Sequence, residues 1–220
     1  METQTDKLAK KIRKYYIKFK KNNSAYHKLI EALTEYVQCV LKKSRFEHSL
    51  RVAQMAASLS RAFGIDENKA YLSGIVHDIC KNMADDVVLS LAKEDGGEIL
   101  EIEEAKPSLL HGRAAAIFIK KEFGIDDADI LEAVANHTLG APSLCPLSKI
   151  IYVADKIEPG RPQSTQEYRA RLSSMTLDEM TLAVVKENVE YLTLGGKTVA
   201  HQSFDFEASL ERSIEATVSR

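Results

Sequence analysis

Apolar positions recur along this chain at three- and four-residue steps, and no segment sustains alternation at every second position, so the pattern predicts an all-α protein. Leu8, Ile12, Tyr15, Tyr16 and Phe19 mark a first helix; Tyr26, Leu29, Ile30, Leu33, Val37, Val40 and Leu41 mark a second, with Asn22-Asn23-Ser24 between them. Ser44 followed by Glu47 reads as a capping box that opens a third helix and puts His48 in its first turn. That helix carries the small residues Ala53, Ala56, Ala57 and Ser58, which suit close helix packing, and stops at Gly64. Asp66 caps a fourth helix, whose apolar end runs into His77-Asp78.

Asp85 and Asp86 open a short helix through Ala92, residues 94–104 read as an acidic loop around Gly96-Gly97, and Ser108 caps a helix from Leu109 to Phe123, with His111 in its first turn. The sequence then echoes itself. Phe63-Gly64-Ile65-Asp66 recurs as Phe123-Gly124-Ile125-Asp126, and in each copy a histidine, His77 or His137, stands eleven residues after the aspartate. Beyond Gly140, Pro142 and Pro146 lies an apolar helix from Leu147 to Lys156 that contains Asp155 and stops at Pro159-Gly160. A polar loop reaches Ser174, Thr176 and Glu179 box the start of a helix through Leu194, and Ser203 begins a last helix after Gly195-Gly196.

Composition narrows the class. A hydrophobic content of 45% and a charged content of 28% are those of an ordinary globular chain, and a net charge of −2 argues against general coating of nucleic acid. Positive charge is nonetheless concentrated at the start: Lys7, Lys10, Lys11, Arg13, Lys14, Lys18, Lys20 and Lys21 surround the first apolar stripe. Either this is the solvated outer face of a packing helix, or it contacts RNA or an acidic lipid surface. There is no apolar run of about 18 residues to span a membrane, and the N-terminus has no apolar signal segment. Cys39, Cys80 and Cys145 form no CxxC pair and cannot all be paired, which suits a reducing cytoplasm; Cys80, beside Ile79, reads as a buried, inert thiol.

The chemistry centres on His77-Asp78. A carboxylate and an imidazole set among apolar residues are costly unless a cation compensates them. Four of the six histidines (His48, His77, His111 and His137) lie in or at the ends of expected helices, and Asp155 adds a second carboxylate in an apolar helix. That is a nitrogen and oxygen ligand set large enough for two metal ions.

In order, His48, His77-Asp78, His111, His137 and Asp155 resemble the pattern of the HD-domain metal-dependent phosphohydrolases. The flanks Arg45-Phe46-Glu47-His48-Ser49, Gly74 to Lys81, His137-Thr138-Leu139-Gly140 and Ile151 to Arg161 are similar to those of the YqeK branch, over about residues 44–210. The resemblance implies an HD-type helical bundle at 44–220 preceded by a basic helical extension at 1–43. It implies a symmetrical bis(5'-nucleosyl)-tetraphosphatase that splits diadenosine tetraphosphate into two ADP by attack of a metal-activated water. It assigns one ion to His48, His77, Asp78 and Asp155, and leaves His111 and His137 to a second ion or to the phosphates. Iron is the implied metal, in a mono- or dinuclear site, with Mn compatible with the same donors. His77, Asp78 and Lys81 are the expected catalytic residues, and Lys81, His111, His137, Arg161 and His201 the expected substrate contacts. Expected partners are a dinucleoside polyphosphate or other nucleotide, RNA or a ribosome through residues 1–43, and a second copy of the chain. Two readings compete with this one: an HD-type nucleotidase or phosphodiesterase acting on another nucleotide, and a metal-stabilised RNA-binding module.

Overall fold

A computed structural model describes residues 2–218 and contains α-helices and one 3₁₀ turn but no strand among the described residues. The helices are α1 (Gln4–Asn22), α2 (Tyr26–Val40), α3 (Lys43–Ala62), α4 (Glu67–Val76), α5 (Asp85–Lys93), α6 (Glu101–Ala105), α7 (His111–Phe123), α8 (Ala128–Asn136), α9 (Pro146–Ile157), α10 (Gln166–Ser173), α11 (Leu177–Leu194) and α12 (His201–Val218).

Helix α9 is the hub. Leu147, Ile150, Ile151 and Ala154 face one apolar cluster built with α1 to α5, α7 and α8, whereas Tyr152, Val153 and Ile157 face a second built with α10 to α12. A helix buried on both sides must be apolar nearly all round, which is why Asp155 and Lys156 stand out on it. Helix α3 packs on α4 and α9, and α8 packs on α7 and α9, so the ends of four helices converge near Asp155.

The first two helices share the larger core. Leu8, Ile12, Tyr16 and Phe19 of α1 and Leu29, Leu33 and Val37 of α2 are buried in it. Tyr36 of α2 stacks edge-on against Phe123 at 4.9 Å. Asn23 and Ala25 turn the chain between α1 and α2 in the left-handed region.

Several local expectations shift. Helix α3 begins at Lys43, with Lys42 at the cap position, and its entry is held by Lys42 N–H donating to Asn82 Oδ1 rather than by Ser44. The segment Pro107–Leu110 is a 3₁₀ turn, so His111 opens α7 and Ser108 does not cap it. Residues 94–104 are not all loop: Glu101 starts α6, whose Glu103 is buried against Arg113 and caps the Leu100 N–H. The polar stretch before Ser174 contains α10, started by the Thr165 side chain. Helix α12 begins at His201, and Ser203 donates to the Leu139 carbonyl across the fold. In the second Phe-Gly-Ile-Asp copy the cap is Asp127, while Asp126 turns outward to Lys20. These shifts share one cause: capping residues are interchangeable locally, and long-range contacts choose among them.

Candidate metal centre

The two histidine-bearing helix ends are built alike. His77 and His137 occupy the C-cap positions of α4 and α8, and in each the ring Nδ1 donates to the carbonyl three residues earlier, Gly74 and Val134, at 2.7 Å. His111 repeats this with Ser108 at 2.7 Å. His48 differs: its Nδ1 donates to Glu158 Oε1 at 3.0 Å. In all four rings Nδ1 is therefore occupied and Nε2 is left for the centre, which fixes tautomer and ring direction as in metal-binding histidines.

Close helix approach sets the spacing. A Cβ on Gly74 would lie 2.6 Å from the Ala53 Cα, so α3 and α4 meet backbone to backbone there. A Cβ on Gly112 would lie 2.8 Å from the Ala135 carbonyl and 3.0 Å from His137 Nδ1, so α7 and α8 meet in the same way. The first contact brings His48 beside His77, with ring centroids 5.3 Å apart; the second brings His111 beside His137, at 4.8 Å.

Asp78 stands between the two pairs. Its Oδ2 lies 3.4 Å from His77 Nε2 and 3.8 Å from His48 Nε2, while its Oδ1 lies 2.9 Å from His111 Nε2 and 3.6 Å from His137 Nε2. Asp155 Oδ1 joins the first pair, 3.0 Å from His48 Nε2 and 3.8 Å from His77 Nε2. Two ligand groups result, His48-His77-Asp78 and Asp78-His111-His137, sharing the one carboxylate. The Nε2 atoms of His48 and His77 are buried and make no hydrogen bond, a costly state that a coordinated cation would relieve. Nitrogen and oxygen donors without thiolate, arranged about a bridging carboxylate, fit divalent transition ions.

The HD-domain family profile matches residues 45–160. The chain belongs to the HD-domain family. It is 31% identical over 169 residues to the symmetrical bis(5'-nucleosyl)-tetraphosphatase of Staphylococcus aureus, spanning 75% of this chain and 86% of that one. To the Bacillus subtilis protein of the same description it is 30% identical over 180 residues, spanning 77% and 92%. A crystal structure of an HD superfamily hydrolase from Clostridium acetobutylicum, described as involved in NAD metabolism, superposes with a TM-score of 0.77 at 31% identity, over 83% of this chain and 97% of that one. Within the HD family the chain falls in the YqeK branch.

The HD site is electrostatically polarised. Burial alone would raise the pKa of Asp78, but the histidines packed around it, His77 first and then His111 and His137, hold it well below the usual carboxylate range. Asp155 is likewise held low, against burial, by Lys156, His48 and Arg161. Burial pushes His137 down to about 3, which keeps it neutral and able to ligate. On His77 burial acts downward too, yet Asp78 and Asp155 outweigh it and raise its pKa. Burial raises the Cys80 thiol to about 12, as expected of an inert core cysteine.

The other expected residues divide. Lys81 is at the site: its Nζ lies 3.2 Å from His111 Nδ1, and burial lowers its pKa. Arg161 is also there, but engaged, donating from Nε to the Asp155 carbonyl at 2.8 Å and from Nη2 to Asp155 Oδ1 at 2.6 Å. His201 is not brought in; its side chain is 84% exposed and faces Asp205. Its neighbour Gln202 instead lines a cleft of about 430 Å³ together with Thr138, Asn136 and Arg113.

Four participants were not singled out from sequence. Arg45 pairs with Asp78 Oδ2 at 2.8 Å, Glu158 bonds His48 and Arg51, and Thr138 Oγ1 sits 3.3 Å from His137 Nε2. For the two arginines a signal was present: Arg45, His48 and Arg51 are spaced by three and share one face of α3. Glu158 lies beyond the end of α9, and no periodicity marks it.

Proposed function

We propose that this chain is a metal-dependent hydrolase that cleaves diadenosine tetraphosphate symmetrically into two ADP. Asp78, shared between two histidine pairs, carries the reading, because a carboxylate flanked by two imidazole pairs suits two adjacent divalent ions, whose clustered positive charge would bind a polyphosphate. The names of the Staphylococcus aureus and Bacillus subtilis relatives support the same substrate.

His48, His77, Asp78 and Asp155 would hold one divalent ion, and His111 and His137, with Asp78, a second. A metal held there would supply Lewis acidity, acidifying water and neutralising charge on phosphoryl oxygens. Iron is the ion we assign, with Mn as the substitute the same donors accept. Overall, water adds to one inner phosphorus, the central P–O–P bond breaks, and each half leaves as ADP.

The chain's own residues bind and orient. Lys81, on the rim of the second pair, meets a phosphate; Arg161 meets another while steadying Asp155. Arg45, paired with Oδ2 at 2.8 Å, aims the bridging carboxylate. Thr138 joins the histidines to the cleft containing Gln202, where a nucleoside end would lie. The test is chromatographic analysis of diadenosine tetraphosphate after incubation with freshly iron-loaded protein, beside an Asp78→Ala control. ADP as sole product, lost in the control, is expected; AMP with ATP, or inorganic phosphate, would overturn symmetrical cleavage.

A further inference from the structure

The lysines of α1 sort into two sets. Lys10 pairs with Glu2 and Lys20 with Asp126, while Arg13 donates to the Lys121 and Glu122 carbonyls; the last two tie α1 to the body. Lys7, Lys11, Lys14, Lys18 and Lys21 are exposed and form no salt bridge among the described residues. Steps of four, three, four and three residues place these five on one face, in a stripe about 21 Å long at the helical rise of about 1.5 Å per residue. The stretch from Glu2 to Asn22 has eight basic residues and two acidic ones, although the whole chain is net negative.

At its C-terminal end the stripe meets a groove of about 830 Å³ between the α1–α2 turn and the α3 and α4 helices. Lys18, Tyr15, Tyr26 and Tyr71 line it, and Asn23, Ser24, His27 and Asn68 add hydrogen-bonding groups. None of these residues belongs to the metal centre.

We propose that the lysine stripe and this tyrosine-lined groove form a binding site for single-stranded RNA. A row of unpaired cations tracks a phosphate backbone, and half-exposed aromatic rings offer stacking faces to unpaired bases. The amide and hydroxyl groups beside the rings suit 2′-hydroxyls. A bilayer surface fits less well. An interfacial helix inserts an apolar face, whereas Leu8, Ile12, Tyr16 and Phe19 of α1 are already buried in the core.

The experiment is fluorescence anisotropy of the full chain with a labelled single-stranded RNA of about 12 nucleotides, a length within the usual site sizes. With about four phosphate contacts, affinity falls roughly 50-fold between about 50 and 200 mM salt. The triple variant Lys11→Gln, Lys14→Gln, Lys18→Gln lowers the slope of log affinity against log salt by about 2 and weakens binding at low salt at least about tenfold. Tyr15→Leu, which keeps an apolar side chain against the core, costs about fivefold through lost stacking. DNA of the same sequence binds more weakly than RNA. Hydrolysis of diadenosine tetraphosphate is unchanged in both variants, so failure here and failure of the proposed function are separable. Absence of RNA binding, binding indifferent to the triple variant, equal binding of DNA, or selective binding to phosphatidylserine vesicles instead of RNA would each overturn the proposal.

Discussion

Glu158 Oε1 accepts the Nδ1 hydrogen of His48 at 3.0 Å, and this one bond decides which ring nitrogen faces the metal centre. The carboxylate is itself held by Arg51 Nε and the Gly160 N–H, each at 2.5 Å. Burial would raise its pKa, but Arg51 and His48 keep it below the usual range, so it acts as an acceptor. Glu158→Gln can present an amide nitrogen to His48 and thereby favour the other tautomer. A loss of about 10- to 100-fold in metal affinity is expected, measured by titration with Mn and by iron content after loading. Unchanged affinity would show that His48 does not need this support.

Removing the bridge should have a larger effect. Asp78→Ala deletes the carboxylate common to both ligand groups. Metal content should fall for both positions, and turnover of diadenosine tetraphosphate should drop by about 100-fold or more. Full turnover in this variant would refute the bridging role.

Arg161 gives a subtler expectation, because it is bonded to Asp155 twice. A residue that only bound phosphate would raise KM when truncated. Arg161→Ala should raise KM about tenfold and also weaken metal retention, since Asp155 loses a charged partner. Steady-state kinetics at saturating and limiting metal separate the two effects.

The approach of α3 to α4 can be tested without touching any ligand. In Gly74→Ala the new methyl would sit 2.6 Å from the Ala53 Cα and 2.9 Å from its nitrogen, and neither backbone atom can yield locally. Forcing the helices apart should cost about 1–3 kcal/mol in urea unfolding. It should also separate His48 from His77 and reduce metal affinity.

A pH effect is expected away from the centre. Arg113 donates to both Asp95 oxygens at 2.7 Å and, with the Gly97 N–H, lowers that carboxyl below its ordinary 3.8 despite partial burial. A depressed folded-state pKa means that the stabilisation is fully present above the unfolded value and is lost as pH falls through the folded one. Asp95→Asn should therefore cost about 1 kcal/mol near neutral pH. The gap between variant and wild type should close in acid-unfolding curves as pH falls below the carboxyl's ordinary 3.8 and through its lowered folded-state value.

The sequence alone determined the helical class, because apolar spacing at three and four residues is a local property that survives any packing. It also marked the candidate ligands: His48, His77, Asp78, His111, His137 and Asp155 could be picked out because polar groups in apolar helices demand compensation. The Thr176–Glu179 capping box formed as expected, being satisfied within one turn. Only the tertiary structure decided how those ligands divide, with Asp78 facing both pairs, since that depends on two glycine contacts between helices distant in the chain. It alone gave Arg45, Thr138 and Glu158 their partners, turned His201 to solvent and engaged Arg161 with Asp155. Those outcomes rest on which helix ends meet and where side chains point once they do, and no periodicity encodes either.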